Sequence, residues 1–511
     1  MLFNSYPFLF AFLPAVVFIF FLVGWFNQSL AAGALAAASV LFYSWWSWRF
    51  TPILLISVTF NYLAAREIMK NLMTTRRNRA RLLLIVSVAL NLIALGYFKY
   101  TNFFVQVIQQ SAGLVFDWQA ILLPIGISFF TFTQIAYLVD TFQGKVGPMP
   151  PIHYLLFVTY FPHLIAGPIL HHSEMMPQFR RWQTYRPSAE ALSVGLTVFI
   201  LGLVKKVFIA DSLAGYANLA FAPDHVETLS TPEAWRGVLA YTLQIYFDFS
   251  AYCDMAIGIS RMLNITLPAN FESPYKAVSI TDFWRRWHMT LSRFLRDYLY
   301  IPLGGNQRGQ PRRYINLLTT MILGGLWHGA CWTFLIWGLM HGLFLCVNHM
   351  WNAIVRHAGI GLKLPVMISW GLTFFAVMIA WVFFRAPDLH TALGMLRVMV
   401  GMGASSSSFN RARAAGVGSM LRWAGGGREQ MAWLLACMVV VLTMPNLRQL
   451  MGRHELVLGT VQETSRHKWS MWSPTAIRWI PNASWAILAI GLFFFSLTRM
   501  NRISQFLYFQ F

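Results

Sequence analysis

Charged residues are scarce in this 511-residue chain, where Asp, Glu, Lys and Arg together make up 11% of the sequence. Soluble domains carry about a quarter, so the composition excludes an ordinary soluble globular protein. Hydrophobic residues make up 57% and aromatic residues 16%. Several apolar runs reach the length of about 20 residues that a helix needs to cross a bilayer. The clearest of these runs are 7–25, 82–98, 190–210, 365–384 and 483–498.

The apolar runs also lack the alternation of polar and apolar residues that is typical of transmembrane β-barrel strands. Backbone groups inside lipid must find partners within their own segment, which leaves helices as the spanning elements. The sequence therefore predicts an all-α polytopic membrane protein with about eleven to thirteen transmembrane or re-entrant helices. The remaining predicted spans lie near 102–116, 119–141, 152–170, 235–259, 315–338, 340–354, 388–402 and 430–445.

Two stretches lack long apolar runs and are predicted to be loops. Residues 403–428 are rich in Gly, Ser, Ala and Arg, and residues 446–482 are polar and basic with scattered Trp. The chain also lacks an internal repeat. This counts against a transporter, because many transporter folds consist of two matching halves.

Cysteine is rare, with four residues in the chain and no CxxC pair among them. Cys253, Cys331, Cys346 and Cys437 lie in or beside apolar runs, so we expect small core residues and no disulfides. No basic residue precedes Arg49. Without the charged start of a cleaved signal peptide, the first apolar run is expected to stay as a membrane helix.

Acidic residues are fewer than basic ones, and the formal net charge is +21. In a soluble protein this excess would indicate nucleic acid, but here Lys and Arg lie mostly between the apolar runs. That placement indicates cytoplasmic loops, which attract anionic lipid headgroups or an acidic partner. The clearest basic segments are 66–81 and 276–313. With about three spans before 66–81, the N-terminus is predicted to lie outside.

The familiar soluble-enzyme motifs are missing. We find no Walker loop, no GxGxxG after a strand, no GxSxG elbow and no nucleic-acid module, so no bound cofactor and no nucleic-acid partner is predicted. His171 and His172 are adjacent, which could suggest a metal. No HExxH or Cys/His spacing supports that reading, and we predict no metal site.

An ionisable side chain is nevertheless present within the apolar segment GGLWHGACW, residues 324–332. An ionisable residue at membrane depth is a functional candidate, and the imidazole of His328 could serve as a general base for a hydroxyl. Gly325 would permit close approach of a ligand or backbone, and Trp327 and Trp332 could wall a cavity. A hydrogen bond between helices explains His328 equally well at this point.

Residues 282–299, DFWRRWHMTLSRFLRDYL, predict one amphipathic helix at the membrane surface. Asp282 or Thr281 is expected to cap its start. His288 lies on this helix, and the residues alone favour a structural role for it. The arginines of the helix are Arg285, Arg286, Arg293 and Arg296.

Two carboxylates, Asp248 and Asp254, lie in the apolar segment YFDFSAYCDMAIG. Acids at this depth pair with a base or line a polar cavity. They could orient a histidine, an arginine or a substrate hydroxyl. An ion pair with an arginine of 285–296 is the favoured reading, and Lys205, Lys206 and Asp211 could mark a membrane boundary.

Together these stretches resemble the membrane-bound O-acyltransferase (MBOAT) family, and within it the bacterial alginate O-acetyltransferase-like branch. Residues 270–338 carry the most specific part of the resemblance and are expected to form the catalytic core. Further matching segments are LPIGISFFTFTQIAYLVD (123–140), FPHLIAGPIL (161–170), KKVFIAD (205–211), YFDFSAYCDMAIG (246–258), WVFFRAPDL (381–389) and MPNLRQLMG (444–452).

The resemblance implies a single MBOAT-type domain over 1–511, with a ring of membrane helices around a central tunnel that opens to the cytoplasm. It implies that His328 is the catalytic histidine and His288 a second catalytic histidine. The residues expected to line the donor or substrate tunnel are Trp327, Trp332, Gly325, Asp248, Asp254, Arg285, Arg286 and Arg296.

The resemblance also implies a function. An acetyl group would pass from a cytoplasmic thioester, acetyl-CoA or an acyl-carrier protein, across the bacterial inner (cytoplasmic) membrane to a secreted exopolysaccharide of the alginate or cellulose type. A periplasmic SGNH-like acetyltransferase is the expected partner, and an exopolysaccharide synthase complex could be another. D-alanyl transfer to teichoic acid, a transporter or flippase without acyl transfer, and a structural scaffold for a synthase stay open as alternatives.

Overall fold

The computed structural model describes most of the chain, and most of these residues are in helices. Two short strands, β1 (Leu267–Pro268) and β2 (Val457–Leu458), pair in parallel with Leu267 opposite Val457. The predicted all-α polytopic class is confirmed. The described residues are 1–113, 117–357, 364–402, 427–452, 454, 456–458, 477–500 and 506–507.

Four helices form the N-terminal part, and the first follows a π-helical turn, Phe8–Phe12. Asn27 caps the second helix, since its side chain accepts a hydrogen bond from the Leu30 amide at 3.0 Å. The predicted spans 82–98 and 102–116 are wrong as separate elements, because one 36-residue helix covers the first and continues through the second as far as Ala112. The helices are α1 (Leu13–Phe26), α2 (Gln28–Trp46), α3 (Thr51–Met73) and α4 (Arg77–Ala112).

The next elements include several short helices. The predicted span 152–170 is wrong, because the backbone leaves the helix at Tyr160 and restarts with Pro162 in the first turn, where proline is tolerated. Helix α9 runs through a π-helical segment, Lys205–Ala210, into α10. The helices are α5 (Ile127–Phe142), α6 (Pro151–Thr159), α7 (Phe161–Leu164), α8 (His172–Phe179), α9 (Ala189–Val204), α10 (Asp211–Ala220) and α11 (Pro223–Val226).

The C-terminal part contains the longest buried helix and the segments that carry the two candidate histidines. A 3-10 turn at Pro274–Lys276 and a π-helical segment at Arg296–Tyr300 flank the segment that carries His288. Two further 3-10 turns lie earlier in the chain, at Trp48–Phe50 and Trp182–Tyr185. The helices are α12 (Thr231–Met262), α13 (Ile280–Arg286), α14 (Met289–Leu295), α15 (Gly309–His328), α16 (Trp332–His357), α17 (Val366–Arg385), α18 (Leu389–Met399), α19 (Gly427–Thr443), α20 (Leu447–Leu450) and α21 (Ala483–Arg499).

Within the described residues, six helices are long and apolar enough to cross a membrane, and the chain is a multi-pass membrane protein. The other predicted spans are occupied by helices that are shorter, more polar or interrupted. The six are Phe8–Phe26, Gln28–Trp46, Arg77–Ala112, Ala189–Ala220, Trp332–His357 and Val366–Arg385.

The two predicted loops fall partly outside the described residues. Of 403–428, residues 403–426 lie outside them, and α19 begins at Gly427. The stretch 446–482 contains α20 and β2, and its residues 459–476 are again outside the described part.

Helix α12 lies at the centre of the packing. It contributes Tyr252 to a hydrophobic cluster formed with α1, α2 and α5–α9, and Phe249 to a second cluster formed with α10 and α16–α18. Glycines allow α9 to approach α12 closely: a Cβ on Gly195 would lie 2.6 Å from the carbonyl oxygen of Gly258. Small residues drive helix association in lipid for this reason.

The predicted span 315–338 is wrong as a single helix, because α15 ends at His328 and α16 starts at Trp332. The two helices pack against each other as a hairpin. Gly325 faces the α16 backbone, where an added Cβ would lie 2.3 Å from the carbonyl oxygen of Phe334. Gly338 of α16 faces the α15 backbone in the same way, since a Cβ added to it would lie 2.4 Å from the carbonyl oxygen of Met321.

Replacing Gly325 with Ala should therefore destabilise the protein by about 1–3 kcal/mol, as overpacking usually does. The measurement is the melting temperature of the detergent-purified protein. Gly371 in α17 is the matched control, because a Cβ there meets nothing within 4 Å. Gly371→Ala should melt at or slightly above the wild-type temperature, and equal melting of both variants would contradict the close packing of the hairpin.

Candidate active site

His328 is the last residue of α15, and its side chain is enclosed by aromatic rings. The following residue, Gly329, is extended (φ −161°, ψ 149°) and ends the helix. The imidazole lies 4.9 Å from the Trp327 ring and 5.1 Å from the rings of both Trp337 and Phe384, measured between centroids. Only 4% of His328 is exposed, so the imidazole sits within the protein interior.

His288 lies at a break in the predicted amphipathic helix. Its backbone is left-handed (φ 42°, ψ 55°), a conformation that L residues with side chains rarely adopt. The break separates α13 from α14 and turns both His288 and Trp287 into the core, where they are 0% and 1% exposed. The single surface helix predicted for 282–299 is therefore wrong.

The start of α13 also differs from the prediction. Ser279 is the cap, because its hydroxyl accepts a hydrogen bond from the Asp282 amide at 3.1 Å. Asp282 instead forms an ion pair with Arg286 at 2.9 Å. The predicted caps Asp282 and Thr281 lie inside the helix.

Asn270 fixes the orientation of the His288 ring, and sequence reasoning did not single it out. Its side-chain oxygen accepts hydrogen bonds from the amide and the hydroxyl of Thr290, at 3.3 and 3.0 Å. Because this oxygen cannot donate, Nδ1 of His288, 3.0 Å away, must be the donor. A neutral His288 then has its lone pair on Nε2. The only signal for Asn270 in the sequence is that it opens the most specific matching block.

The two histidines share one aromatic enclosure. Their ring centroids lie 6.4 Å apart, and the Trp327 ring contacts both, at 4.9 Å from His328 and 6.2 Å from His288. Trp327 belongs to the first hydrophobic cluster, whereas Trp337 belongs to the second. The histidine pair thus lies where the two clusters meet, and it can offer two imidazoles to one small substrate group.

His341, a weaker sequence candidate, lies in the same aromatic region. It is fully buried, and its Nδ1 accepts a hydrogen bond from the indole N–H of Trp284 at 3.3 Å. Its ring lies 4.9 Å from Trp337. These contacts make His341 a packing residue behind the enclosure of His328.

The two acids of α12 form ion pairs with lysines. Asp248 contacts Lys206 at 2.7 Å, and Asp254 contacts Lys205 at 2.6 Å. Lys206 also contacts Asp211 at 2.8 Å, so one buried ammonium joins two carboxylates. The predicted pairing with arginines of 285–296 is therefore wrong, and the lysines fasten α12 to the π-helical segment after α9.

Three of the remaining predicted tunnel residues have close neighbours other than the two histidines. Trp332 is 46% exposed and its ring packs on Phe103. Gly325 serves the contact between α15 and α16. Arg285 is exposed, and Arg296 is exposed beside Asp297 at 2.7 Å.

His171 and His172 approach the carboxylate of Asp140, at 3.9 and 3.5 Å. The hydroxyl of Tyr298 donates a hydrogen bond to the same carboxylate at 2.8 Å. In the part of the chain that the structure describes, no group of three or more His, Cys, Asp or Glu side chains is arranged to hold a metal ion.

A comparison with protein-family models decides the class of the chain. The model of MBOAT, the membrane-bound O-acyltransferase family, matches residues 35–386, a stretch that includes both His288 and His328. The chain belongs to this family. The resemblance noted in the sequence is confirmed, and the protein is an acyltransferase of the multi-pass membrane type.

Two curated relatives match most of the chain, and a third matches less than half of it. A peptidoglycan O-acetyltransferase of Helicobacter pylori is 43% identical over 429 residues, 79% of this chain and 80% of its own length. A probable alginate O-acetylase of Pseudomonas aeruginosa is 44% identical over 429 residues, 82% of this chain and 78% of its own length. A teichoic acid D-alanyltransferase of Bacillus subtilis is 30% identical over 241 residues, covering 45% of this chain and 60% of its own length.

Replacing Lys206 with Met should be strongly destabilising, by about 3–5 kcal/mol, because it leaves the buried carboxylate of Asp248 and the partly buried one of Asp211 without their cation. The adjacent variant Lys205→Met is the matched control, since Lys205 is 25% exposed against 1% for Lys206. The measurement is the melting temperature in detergent. Equal, small losses in the two variants would show that the Lys206 ion pairs do not hold α12.

Proposed function

We propose that this acyltransferase moves acetyl groups from a cytoplasmic thioester through the bacterial inner membrane to a polysaccharide outside it. The observation that carries the proposal is the buried pair of His288 and His328 in one aromatic enclosure. Relatives that are 43% and 44% identical are named as O-acetyl-transferring proteins, which supports acetyl as the group transferred.

In the proposed mechanism, His328 removes the proton from an acceptor hydroxyl. The oxygen attacks the thioester carbonyl and forms a tetrahedral intermediate. Collapse of that intermediate breaks the C–S bond, and the departing sulfur receives the proton held by the imidazolium. The products are an acetyl ester and a free thiol, so atoms and charge balance.

His288 is assigned to orienting the acceptor. With Nδ1 donating to Asn270, neutral His288 presents a hydrogen-bond acceptor at Nε2 and suits a hydroxyl better than an oxyanion. The oxyanion is assigned to backbone N–H groups at the start of α16, which begins just after the break at His328. A helix N-terminus stabilises negative charge because its N–H groups point outward.

The donor is a thioester that enters from the cytoplasm, either acetyl-CoA or an acetylated carrier protein. Both carry phosphate or acidic charge, and the basic segment 276–313 suits them. Arg286 and Arg293 form ion pairs with Asp282 and Glu174. The exposed arginines Arg285, Arg308 and Arg312 are therefore the first proposed donor contacts, and Arg296 could join them only by leaving its ion pair with Asp297.

The acceptor is proposed to be a secreted exopolysaccharide of the alginate or cellulose type, reached through a periplasmic SGNH-like partner. Peptidoglycan is a second candidate, since the Helicobacter pylori relative is named for it at comparable identity. D-alanyl transfer to teichoic acid is less supported, because that relative covers 45% of this chain at 30% identity.

Removing the imidazole of His328 should abolish transfer of labelled acetyl from acetyl-CoA, with a loss of at least about 100-fold for a general base. His288→Ala should lose activity too, but less. Wild-type and variant membranes are compared with the partner and with alginate, cellulose or peptidoglycan fragments supplied. His163→Gln is the control, a buried histidine whose ring bonds to the Phe157 carbonyl. Near-wild-type transfer by His328→Ala would exclude the proposed mechanism.

Reversing the charge of Arg308 and Arg312 to Glu should raise the donor KM about tenfold or more while kcat changes little, because ground-state attraction is lost. The effect should shrink at high salt. Arg49→Glu is the control, because Arg49 lies between α2 and α3, two spans after an N-terminus that is predicted to lie outside. A donor KM that stays constant in the double variant would remove this segment from the donor site.

A further inference from the structure

Lys99 is a buried lysine that the proposed mechanism does not use. It lies within the 36-residue helix α4 and is 9% exposed. An ammonium at this depth is costly unless its three N–H groups find acceptors. The acceptors lie on other helices, and they include the end of the helix that carries His328.

The last turn of α15 has carbonyl groups without helical partners, as every helix end does. The Gly325 carbonyl accepts from the Gly329 amide at 3.4 Å. The Leu326 carbonyl accepts from the hydroxyl of Tyr100 at 2.9 Å. Each carbonyl up to residue 326 is thus satisfied either within the helix or by α4.

Lys99 supplies the donors for the final two carbonyls of α15. Its ammonium donates to the carbonyl oxygens of Trp327 and His328, the latter at 3.2 Å. The third N–H reaches the hydroxyl of Ser128 at the start of α5, at 3.3 Å. Adjacent residues of α4, Lys99 and Tyr100, therefore cap three successive carbonyls of α15.

The negative end of the α15 helix dipole partly offsets the charge of the Lys99 ammonium. Among the residues that the structure describes, the acceptors of Lys99 are carbonyl and hydroxyl oxygens and not carboxylates. A helix C-terminus carries about half a negative charge, which an ammonium complements. The end of α15 thus gives the buried ammonium its acceptors, and the ammonium gives the last carbonyls of α15 their donors.

We propose that Lys99, assisted by Tyr100, is a positioning residue that holds the last turn of α15 and thereby sets the imidazole of His328 against His288. The proposal rests on the catalytic role proposed for His328. The Lys99 ammonium also lies 5.8 Å from the Trp327 ring centroid, and that ring contacts both imidazoles. Loss of the ammonium releases the backbone of the two residues that form the centre of the site.

The test compares steady-state acetyl transfer by full-length Lys99→Met, Lys99→Arg and Tyr100→Phe in detergent. Lys99→Met should lower kcat at least about 50-fold while both KM values stay within about threefold, since small misplacements of catalytic groups act on the transition state. Lys99→Arg keeps the charge and donors and should recover at least about a tenth of wild-type kcat. Tyr100→Phe should lower kcat about three- to tenfold, with a melting temperature lowered no more than that of the Asn91→Leu control below.

A matched control separates positioning from general stability. Asn91 lies on the same helix and exchanges hydrogen bonds of 2.7 and 3.0 Å with Asn61 of α3, away from α15. Asn91→Leu should lower the melting temperature but keep the kcat of the folded fraction within about threefold of wild type. If Lys99→Met loses activity only in proportion to its loss of folded protein, as expected for Asn91→Leu, the positioning role is overturned.

His328→Ala is measured in the same assay. An active His328→Ala would refute the proposed function itself. An inactive His328→Ala together with a folded, fully active Lys99→Met would overturn only the role of Lys99. If Lys99→Met does not fold, Tyr100→Phe decides, because unchanged kcat in that folded variant contradicts capping as a determinant of catalysis.

Discussion

A chain that crosses lipid can interrupt a helix only where other groups replace the lost backbone hydrogen bonds, and the candidate site depends on two such interruptions. Helix α15 ends at His328, and the chain between α13 and α14 turns at His288. Asn270 secures the second break by bonding His288 and Thr290. Lys99 bonds the carbonyls at the first. Each break turns an imidazole into the same aromatic enclosure.

The acidic side chains of α12 and several nearby cations form ion pairs that hold helices together. Lys206 joins two carboxylates and ties α12 to the segment after α9. Arg293 binds Glu174 through both of its terminal nitrogens, at 2.6 and 3.0 Å. His288 and His328, the groups proposed to handle the acceptor hydroxyl, lie where the two hydrophobic clusters meet. A general base assists the attack of a hydroxyl on an acyl group.

Much of the fold could be predicted from the sequence, because long apolar runs allow little besides membrane helices. Both histidines could be named from the segment that resembles the family. The break at His288 could not, since residues 282–299 have the same periodicity in a surface helix and in a buried, interrupted one. The partners of Asp248 and of the His328 carbonyl lie 42 and 229 residues away along the chain. Such contacts depend on tertiary packing that no local pattern encodes.

The central claim is that a donor from the cytoplasmic side meets an outer acceptor at the two imidazoles. The most direct measurement uses sealed liposomes with oriented protein, labelled acetyl-CoA outside and polysaccharide with partner protein in the lumen. We expect labelled polysaccharide in the lumen when the basic segment 276–313 faces the donor, and none with the opposite orientation. Labelling only when donor and acceptor share one side would contradict transfer through the membrane.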